Sequence, residues 1–409
     1  MTACGVLPVT AALHGGDVTR HVLQSLRAVF GVPGMQIVER AGEAKPTIPF
    51  SVLVVTGGVE QQVLDAWHER QALVPGEPLL LLTHPEENSL PAALEALARV
   101  QRDGGRGHIV MLEPGNAPHD FDAAAHALTV WHGLHRARVG MIGAPSEWLV
   151  ASVPTPEALR RRWGPTLVEV SLPTVIERFE ENIEAPIAVP VRLAARPGED
   201  SPHPADIETA ARFEPVLRAV AGEHHLDAVT VRCFDLITDA HTSGCLALSS
   251  LNDRGIVAGC EGDIASTIAM LWAKLLTGQA SWMANPSDID RTTGVIELAH
   301  CTVPLSMVDG YRLETHFESN LGVGIVGDLP PGPVTVLRLG GDELENLWCE
   351  NGEALPTTAR SGRCRTQLNI RVDPHAVGEV LDHPLGNHLV VLYGHHAEAL
   401  RSWWLEHVA

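Results

Sequence analysis

Apolar segments of strand length alternate with amphipathic segments of helix length over the first part of the chain. The run IPFSVLVVTGG is followed by EQQVLDAWHERQAL, then by EPLLLLTH, and then by LPAALEALARVQRD. Strands that alternate with helices are typical of a parallel sheet covered by helices on its faces. The sequence therefore predicts an α/β domain over residues 1–136.

A second strand and helix cycle begins with RVGMIGAPSEWLVAS and continues through ADIETAARFEPVLRAVAG to DAVTVRCFDLI, which predicts a second α/β domain over residues 137–285. The remainder shows period-two alternation between Gly and Pro turns, a pattern typical of an antiparallel sheet or small barrel. The predicted fold class is α/β: two Rossmann-like α/β domains, followed by a β-rich antiparallel C-terminal domain with a terminal helix over residues 286–409.

Charge and hydropathy exclude several classes of partner. The net charge is −21 with the acidic residues dispersed, whereas a nucleic-acid interface needs clustered Lys and Arg. The sequence shows neither an apolar run of about 20 residues nor a signal-peptide pattern, so we expect no membrane partner and a cytoplasmic protein. A phosphate-binding loop motif is absent, and GVGIVGD lies in a β-rich context, so no nucleotide cofactor is predicted.

The segment 248–278 carries the densest group of candidate functional residues. Apolar residues at helical spacing in its second half predict a helix that Gly278 ends. Glu261 and Asp263 then lie at the helix start, where carboxylates are commonly stabilised by the helix dipole alone. The preceding strand and turn also place Glu261 just outside a strand end, where open α/β sheets build binding sites. Both interpretations stay open from the residues themselves.

The run NDRGIVAGCEGDI, with SWMANP after the helix and IELAHC soon after, resembles the L-fucose and L-arabinose isomerase superfamily. A related NSLPAALE pattern spans Asn88 to Glu95, and GNH occurs near the C-terminus. The resemblance covers nearly the whole chain. It implies a ketol-isomerase with a carbohydrate substrate and a divalent cation, commonly Mn²⁺, and a homo-oligomer, trimeric or hexameric. Mixed oxygen and nitrogen ligands also suit Mg²⁺ or Fe²⁺.

The resemblance also implies roles for particular residues. Glu261 matches an acidic metal ligand that serves as acid/base, and His300 and His388 match histidine ligands. Asn285 stands where the family has its second catalytic carboxylate. An amide can orient an oxygen atom but cannot take up a proton near neutral pH.

Other residues complete the predicted site. Asp288 and Glu318 are the candidates for the missing acid/base. A solvated turn with an Asx-type hydrogen bond explains Asp288 better, and a partly buried structural carboxylate explains Glu318 equally well. His316, beside Glu318, is a candidate substrate contact. The resemblance implies that Asn88 and Ser89 lie near a subunit contact and the substrate, and the alternative is that they only begin the following helix.

The sequence is compatible with three functions. The first is a metal-dependent aldose–ketose isomerase that moves a proton through an enediolate. The second keeps the fold and the metal but catalyses an epimerase- or lyase-type reaction with one carboxylate, as Asn285 suggests. The third is a non-catalytic sugar-binding protein, since paired α/β domains also bind small molecules without chemistry.

Overall fold

The computed structural model of the protein describes residues 3–14, 16–26, 35–112, 117–181 and 201–409. Its α-helices are α1 (Gly16–Ser25), α2 (Glu60–Leu73), α3 (Ser89–Arg102), α4 (Ala117–Arg136), α5 (Pro156–Arg162), α6 (Leu172–Glu181), α7 (Pro204–Glu223), α8 (Cys233–Asp239), α9 (Cys245–Asp253), α10 (Ile264–Thr277), α11 (Pro374–Asp382) and α12 (Ala397–His407). Its strands are β1 (Cys4–Val9), β2 (Met35–Ile37), β3 (Phe50–Val54), β4 (Leu79–Thr83), β5 (Gly107–Met111), β6 (Arg138–Ile142), β7 (Thr166–Val170), β8 (Ala228–Val231), β9 (Val257–Cys260), β10 (Ser281–Asp290), β11 (Val295–His300), β12 (Gly310–Glu314), β13 (Gly324–Asp328), β14 (Gly332–Gly340), β15 (Asn346–Leu355), β16 (Thr366–Arg371) and β17 (Leu389–Tyr393).

The chain divides into two compact units. The first unit comprises Met1–Gly133 and Trp403–Ala409. It contains a five-stranded sheet of order β2-β1-β3-β4-β5, in which all pairings are parallel. Strands β3 and β4 are buried at every residue, and their sequences FSVLV and LLLLT are almost wholly apolar. Such continuous apolar runs are typical of parallel strands covered on both faces.

The second unit, Leu134–Ser402, contains two larger sheets. One is a four-stranded parallel sheet of order β7-β6-β8-β9, and the other is a closed antiparallel barrel of order β10-β11-β16-β15-β14-β17. Strands β12 and β13 form a separate antiparallel pair. The predicted fold class, with two parallel α/β sheets followed by a β-rich antiparallel region, is confirmed.

Strand β10 crosses the predicted boundary between residues 285 and 286. Its first half pairs with β17, from Ser281 to Ala284, and its second half pairs with β11, from Asn285 to Asp290. Residues on both sides of that boundary therefore belong to one strand of the barrel. The division into three domains stays a prediction.

Helix α10 begins and ends where its sequence pattern predicts. Asp263 is its N-cap and accepts a hydrogen bond from the Ser266 amide, and Gly278 ends it with a left-handed φ of 71°. The Gly278 amide donates to the carbonyl of Lys274. Because the first three turns of α10 are fully buried, the helix holds its N-terminus rigidly beside the end of β9.

Within the described residues, no helix is both long enough and apolar enough to cross a lipid bilayer.

Candidate metal centre

Glu261 lies immediately after β9, at the carboxyl edge of the parallel sheet in the second unit. Its φ is +64° and that of Gly262 is +73°, so two consecutive residues adopt the left-handed conformation. For a residue with a side chain, this conformation costs roughly 1–2 kcal/mol. A Cβ atom on Gly262 would approach the Cα of Pro145 to 2.7 Å, so glycine is required there.

Hydrogen bonds from neighbouring loops hold this turn. The Ser146 amide donates to the Glu261 carbonyl at 2.9 Å, and the Gly262 amide donates to the Val231 carbonyl at 3.1 Å. Residues 145 and 146 follow β6, and Val231 is the last residue of β8. The carboxyl ends of three adjacent strands therefore fix the strained backbone of Glu261, as is common where a side chain is aimed into a site.

Two histidines reach Glu261 from the barrel. His300 is the last residue of β11, and His388 immediately precedes β17. Both strands flank β10, where Asn285 pairs with Ala299 and Ala284 pairs with Leu389. The register therefore places His300, at the end of β11, and His388, just before β17, on either side of Asn285 in the middle of β10.

Glu261, His300 and His388 form a buried group whose potential ligand atoms all lie within 4.8 Å of one another. Glu261 Oε1 is 3.5 Å from His388 Nε2 and 3.8 Å from His300 Nε2. These separations are longer than good hydrogen bonds, yet they suit ligands that share one cation between them. The three predicted metal ligands are thus brought together by the fold.

In both histidines Nε2 faces Glu261, and the other ring nitrogen, Nδ1, makes a hydrogen bond. His388 Nδ1 donates to Asp263 Oδ2 at 2.8 Å, and His300 Nδ1 is hydrogen-bonded to Thr302 Oγ1 at 2.9 Å. His388 Nε2 is buried and makes no hydrogen bond among the described residues. An imidazole held through one nitrogen while the other faces a carboxylate is the usual arrangement of a metal ligand. The residues present therefore fit a divalent cation.

Asp263 is the centre of a second buried layer. Besides His388, its Oδ2 contacts Arg338 Nη1 at 3.2 Å, and Arg338 Nη1 also donates to Ser266 Oγ at 2.6 Å. Arg338 further donates to Ser152 Oγ. Asp263 and His388 are fully buried, and Arg338 is 1% exposed. The guanidinium neutralises the carboxylate that orients the His388 ring.

These contacts set the protonation states. Burial alone raises the pKa of Glu261, but the imidazoles of His300 and His388 outweigh it and hold this pKa well below its ordinary value. Burial likewise raises the pKa of Asp263, and Arg338 and His388 hold it well below the usual range. Burial lowers the pKa of His388, whereas Asp263 and Glu261 raise it, to about 9. At neutral pH both carboxylates are ionised and His388 carries a proton.

A cavity of about 330 Å³ opens onto Glu261, and its lining residues are Trp148, Phe234, Glu261, Asn285, Glu318 and Asn387. This volume is at the lower end of the range for small-molecule sites. A polar lining with two aromatic rings is suited to a sugar, which presents hydroxyl groups and apolar C–H faces.

Trp148 joins the cavity wall to the carboxylate. Its indole Nε1 donates to Glu261 Oε2 at 2.6 Å, so the other oxygen, Oε1, faces the histidines. The indole packs edge to face on Phe234 with 5.0 Å between ring centroids, and 49% of the residue remains exposed. Trp148 therefore selects which oxygen of Glu261 is available to a cation.

The remaining predicted residues of the second unit have different surroundings. Asn285 and Glu318 line the cavity with Glu261. His316 is buried, is hydrogen-bonded through Nδ1 to Ser319, and packs edge to face on Phe234 at 5.5 Å. Asp288 is not among the cavity-lining residues.

Asp288 instead forms ion pairs on the surface. Its carboxylate is 58% exposed and lies 3.5 Å from Arg360 and 3.7 Å from Arg363. These contacts do not support its predicted catalytic role. Glu318 is the better placed acid/base candidate, because it lines the cavity.

Asn88 and Ser89 belong to the first unit. Asn88 is the N-cap of α3 with a left-handed φ of 56°, and its side chain makes no capping hydrogen bond. Ser89 is buried and donates to the Val54 carbonyl at 2.5 Å. They begin the helix, as the alternative interpretation holds, and their predicted role near a substrate stays a prediction.

Sequence reasoning missed several residues of the site. Trp148, Phe234 and Asn387 line the cavity, and Arg338 holds Asp263, yet none of them was among the predicted site residues. The one local signal was a tryptophan just after the Gly-Ala-Pro turn that follows β6, since a loop at the carboxyl end of a parallel strand is a usual place for a binding residue.

A larger cavity of about 560 Å³ lies at the other end of α10. Lys274, Gly278 and Ser281 are among its lining residues, whereas Glu261 precedes the N-terminus of the same helix. Among the described residues, the group able to hold a metal is the one at Glu261. Size alone therefore does not identify the candidate site.

Comparison with known proteins identifies distant relatives of the chain. No protein-family model matches the chain. It is 23% identical over 224 residues to the sulfoquinovose isomerases of Priestia aryabhattai and Priestia megaterium, covering 52% of this chain and 50% of each relative. It is 24% identical over 286 residues to the sulfoquinovose isomerase of Clostridium sp. strain MSTE9, covering 67% of this chain and 62% of the relative.

The chain spans about half the length of the curated relatives it matches first. The similarity is to sugar isomerases at a distant level. The narrower resemblance to the L-fucose and L-arabinose isomerases stays a prediction.

Proposed function

We propose that this chain is a metal-dependent aldose–ketose isomerase that acts on a sugar. The observation that carries the proposal is the convergence of Glu261, His300 and His388, of which Glu261 also lines a cavity with polar and aromatic walls. The distant similarity to sulfoquinovose isomerases supports the same reaction class. Mn²⁺, Mg²⁺ and Fe²⁺ all suit one carboxylate and two imidazole ligands.

Glu261, His300 and His388 would hold the cation. When bound, a divalent cation polarises the substrate carbonyl and stabilises the negative charge that develops on oxygen during proton transfer. Trp148 keeps one carboxylate oxygen of Glu261 engaged, and Asp263 keeps the Nε2 atom of His388 directed at the same point.

Proton transfer between adjacent carbons also needs a base. Among the residues that line the described cavity, Glu318 is the carboxylate besides Glu261. We assign Glu318 to move the proton and Asn285 to orient a substrate hydroxyl through its amide. Trp148 and Phe234 form an apolar wall against which the C–H groups of a sugar can pack, which excludes water from one face of the reacting carbons.

The reaction is tested by solvent isotope exchange. Protein loaded with Mn²⁺ is incubated in D₂O with a panel of aldoses and ketoses that includes sulfoquinovose, and NMR spectra are recorded. We expect deuterium at the carbon next to the carbonyl of one substrate, together with the matching ketose or aldose, and loss of both after chelation.

Other outcomes of the panel separate the competing functions. Exchange or inversion without ketose formation would favour the epimerase-type reaction, for which Asn285 in the cavity is the supporting observation. Sugar binding without any exchange would favour a non-catalytic binding protein. Either result contradicts the proposed isomerase.

Metal affinity is expected to rise with pH. The pKa of His388 is about 9, so its imidazole must lose a proton before Nε2 can bind a cation, whereas Glu261 is already ionised. The affinity for Mn²⁺ should therefore increase about tenfold per unit between roughly pH 7 and pH 9 and then level off. Titration calorimetry in buffers of different ionisation enthalpy measures the released proton. An affinity that is constant over this interval would contradict the assigned ligand.

A further inference from the structure

Four arginines line a second cavity of the same unit, with a volume of about 430 Å³: Arg312, Arg360, Arg363 and Arg365. We call it the arginine cavity. Glu314 is the carboxylate that lines it with them. Because the whole chain has a net charge of −21, this is an unusual local concentration of positive charge.

Carboxylates anchor two of these arginines. Glu297 is 5% exposed, and its two oxygens lie 2.8 Å from Arg363 and 3.3 Å from Arg360. Asp288 lies near the same two guanidinium groups. Neither acid lines the cavity, so both hold the arginines without occupying it.

Arg312 and Arg365 share Glu314, at 2.8 and 3.0 Å. Arg365 also donates to the carbonyl of Thr315 at 2.7 Å and lies over the ring of Phe317. Among the described contacts, the carboxylates of Glu297, Asp288 and Glu314 lie against the four guanidinium groups.

The loop that carries Arg360 and Arg363 is also fixed. The Gln367 side chain accepts a hydrogen bond from the Arg360 amide at 2.8 Å and donates to the Arg360 carbonyl at 2.9 Å. It also donates to the Cys364 carbonyl at 3.2 Å. The backbone that carries Arg360 and Cys364 therefore does not have to be ordered when a ligand binds, which favours affinity.

The arginine cavity adjoins the cavity of the metal centre. Phe317 lines the first, and its neighbour Glu318 lines the second. The partners of Asn285 and Asp288 on β11 are Ala299 and Glu297, because the register shifts by one residue between Pro286 and Asp288. At about 3.3 Å per residue, Asn285 and Asp288 are therefore separated by roughly 7 Å along the sheet. An extended six-carbon chain spans about 6 Å, given C–C bonds of about 1.5 Å. A substituent on its last carbon, with the metal at the other end, can cover the remainder.

We propose that the arginine cavity binds the sulfonate or phosphate group of a sugar whose carbonyl end lies at the metal centre, an inference that rests on the proposed function. Guanidinium forks match such oxyanions through paired charge-assisted hydrogen bonds. The described lining of the metal-centre cavity includes no Lys or Arg, so an anionic sugar needs a cationic subsite beside it. Sulfoquinovose, named in the relatives, is a hexose that carries a sulfonate on its terminal carbon.

The test compares three hexoses on the Mn²⁺-loaded protein: sulfoquinovose, glucose 6-phosphate and glucose. The variants are Arg312→Gln and Arg360→Gln, singly and together, because these two side chains are the more exposed members of the group. Arg291→Gln is the matched control, since it removes an exposed arginine that pairs with Asp382 outside the cavity.

We expect each variant to raise KM for the preferred anionic sugar about 10- to 100-fold, the effect of one charge-assisted hydrogen bond, with kcat little changed. The values for glucose and for Arg291→Gln should not change. Comparison of the two anionic sugars identifies sulfonate or phosphate as the group recognised. Calorimetric binding of the same sugars to metal-free protein gives a measurement that does not depend on turnover.

The possible failures are distinguishable. Unchanged KM and affinity for both anionic sugars in the double variant would overturn the arginine cavity and leave the isomerase proposal standing. Arginine-dependent binding without turnover would refute the isomerase and retain the anion site. If a glutamine variant fails to fold, Arg312→Lys replaces it, and a KM between those of the wild type and a single variant is expected.

Discussion

Glu261→Gln is expected to abolish stoichiometric metal binding and isomerase activity together. Glutamine has nearly the same size and can accept the Trp148 hydrogen bond, so the local geometry is retained while the negative charge is lost. Two neutral imidazoles and an amide then face the cation. We expect Mn²⁺ affinity to fall by at least about 100-fold, the upper end of what losing an outer-shell partner costs.

Metal content by elemental analysis and sugar turnover are the measurements. Glu214→Gln is the matched control, because Glu214 is a fully buried carboxylate that pairs with Arg218 and Arg254 away from the metal centre. It should keep full metal content. Retention of both metal and activity in Glu261→Gln would remove Glu261 from the ligand set.

Local patterns were sufficient for most of the fold. Continuous apolar runs such as FSVLV and LLLLT have few alternatives to buried parallel strands, because charged neighbours are missing on both faces. The end of α10 at Gly278 could be read from helical spacing followed by a glycine. The order of the barrel strands could not be predicted, since β11 lies beside β16 and β14 beside β17. No local signal specifies such distant pairs.

The residues of the candidate site also fall into those that local sequence patterns predict and those that depend on distant contacts. Glu261, His300 and His388 were predicted through motifs, whereas the contacts that define their chemistry are long-range. Arg338 reaches Asp263 from 75 positions away, and Trp148 reaches Glu261 from 113 positions away. A side chain whose role depends on a distant partner carries no periodicity or spacing that identifies it.

Asp263→Asn is expected to weaken both metal binding and folding. Asparagine is as good an N-cap as aspartate, so α10 should still begin at the same residue. The lost charge leaves Arg338 buried beside a neutral amide, which costs about 3–5 kcal/mol of unfolding free energy. Because His388 Nδ1 also loses its ionised acceptor, Mn²⁺ affinity should fall about 10- to 100-fold.

The pH dependence gives a readout that a purely structural role would not change. Asp263 raises the pKa of His388, so that pKa falls when the carboxylate is replaced. The pH at which metal affinity levels off should then move to lower values in Asp263→Asn, even though the maximum affinity is smaller. Asp253→Asn is the control, since Asp253 accepts amide hydrogen bonds from Leu305 and Ser306 outside the site.

The buried charge pair predicts a particular non-additivity. Arg338→Gln alone leaves the Asp263 carboxylate buried without its cation, whereas Asp263→Asn with Arg338→Gln removes both charges. The double variant should therefore be less destabilised than the sum of the two single variants, by about 0.5–3 kcal/mol in denaturant unfolding. In the double variant the metal affinity should not recover together with the stability, because His388 still lacks an ionised acceptor. Additive unfolding energies would show that Arg338 and Asp263 act independently, and the second layer would then be assigned to the serine contacts of Arg338.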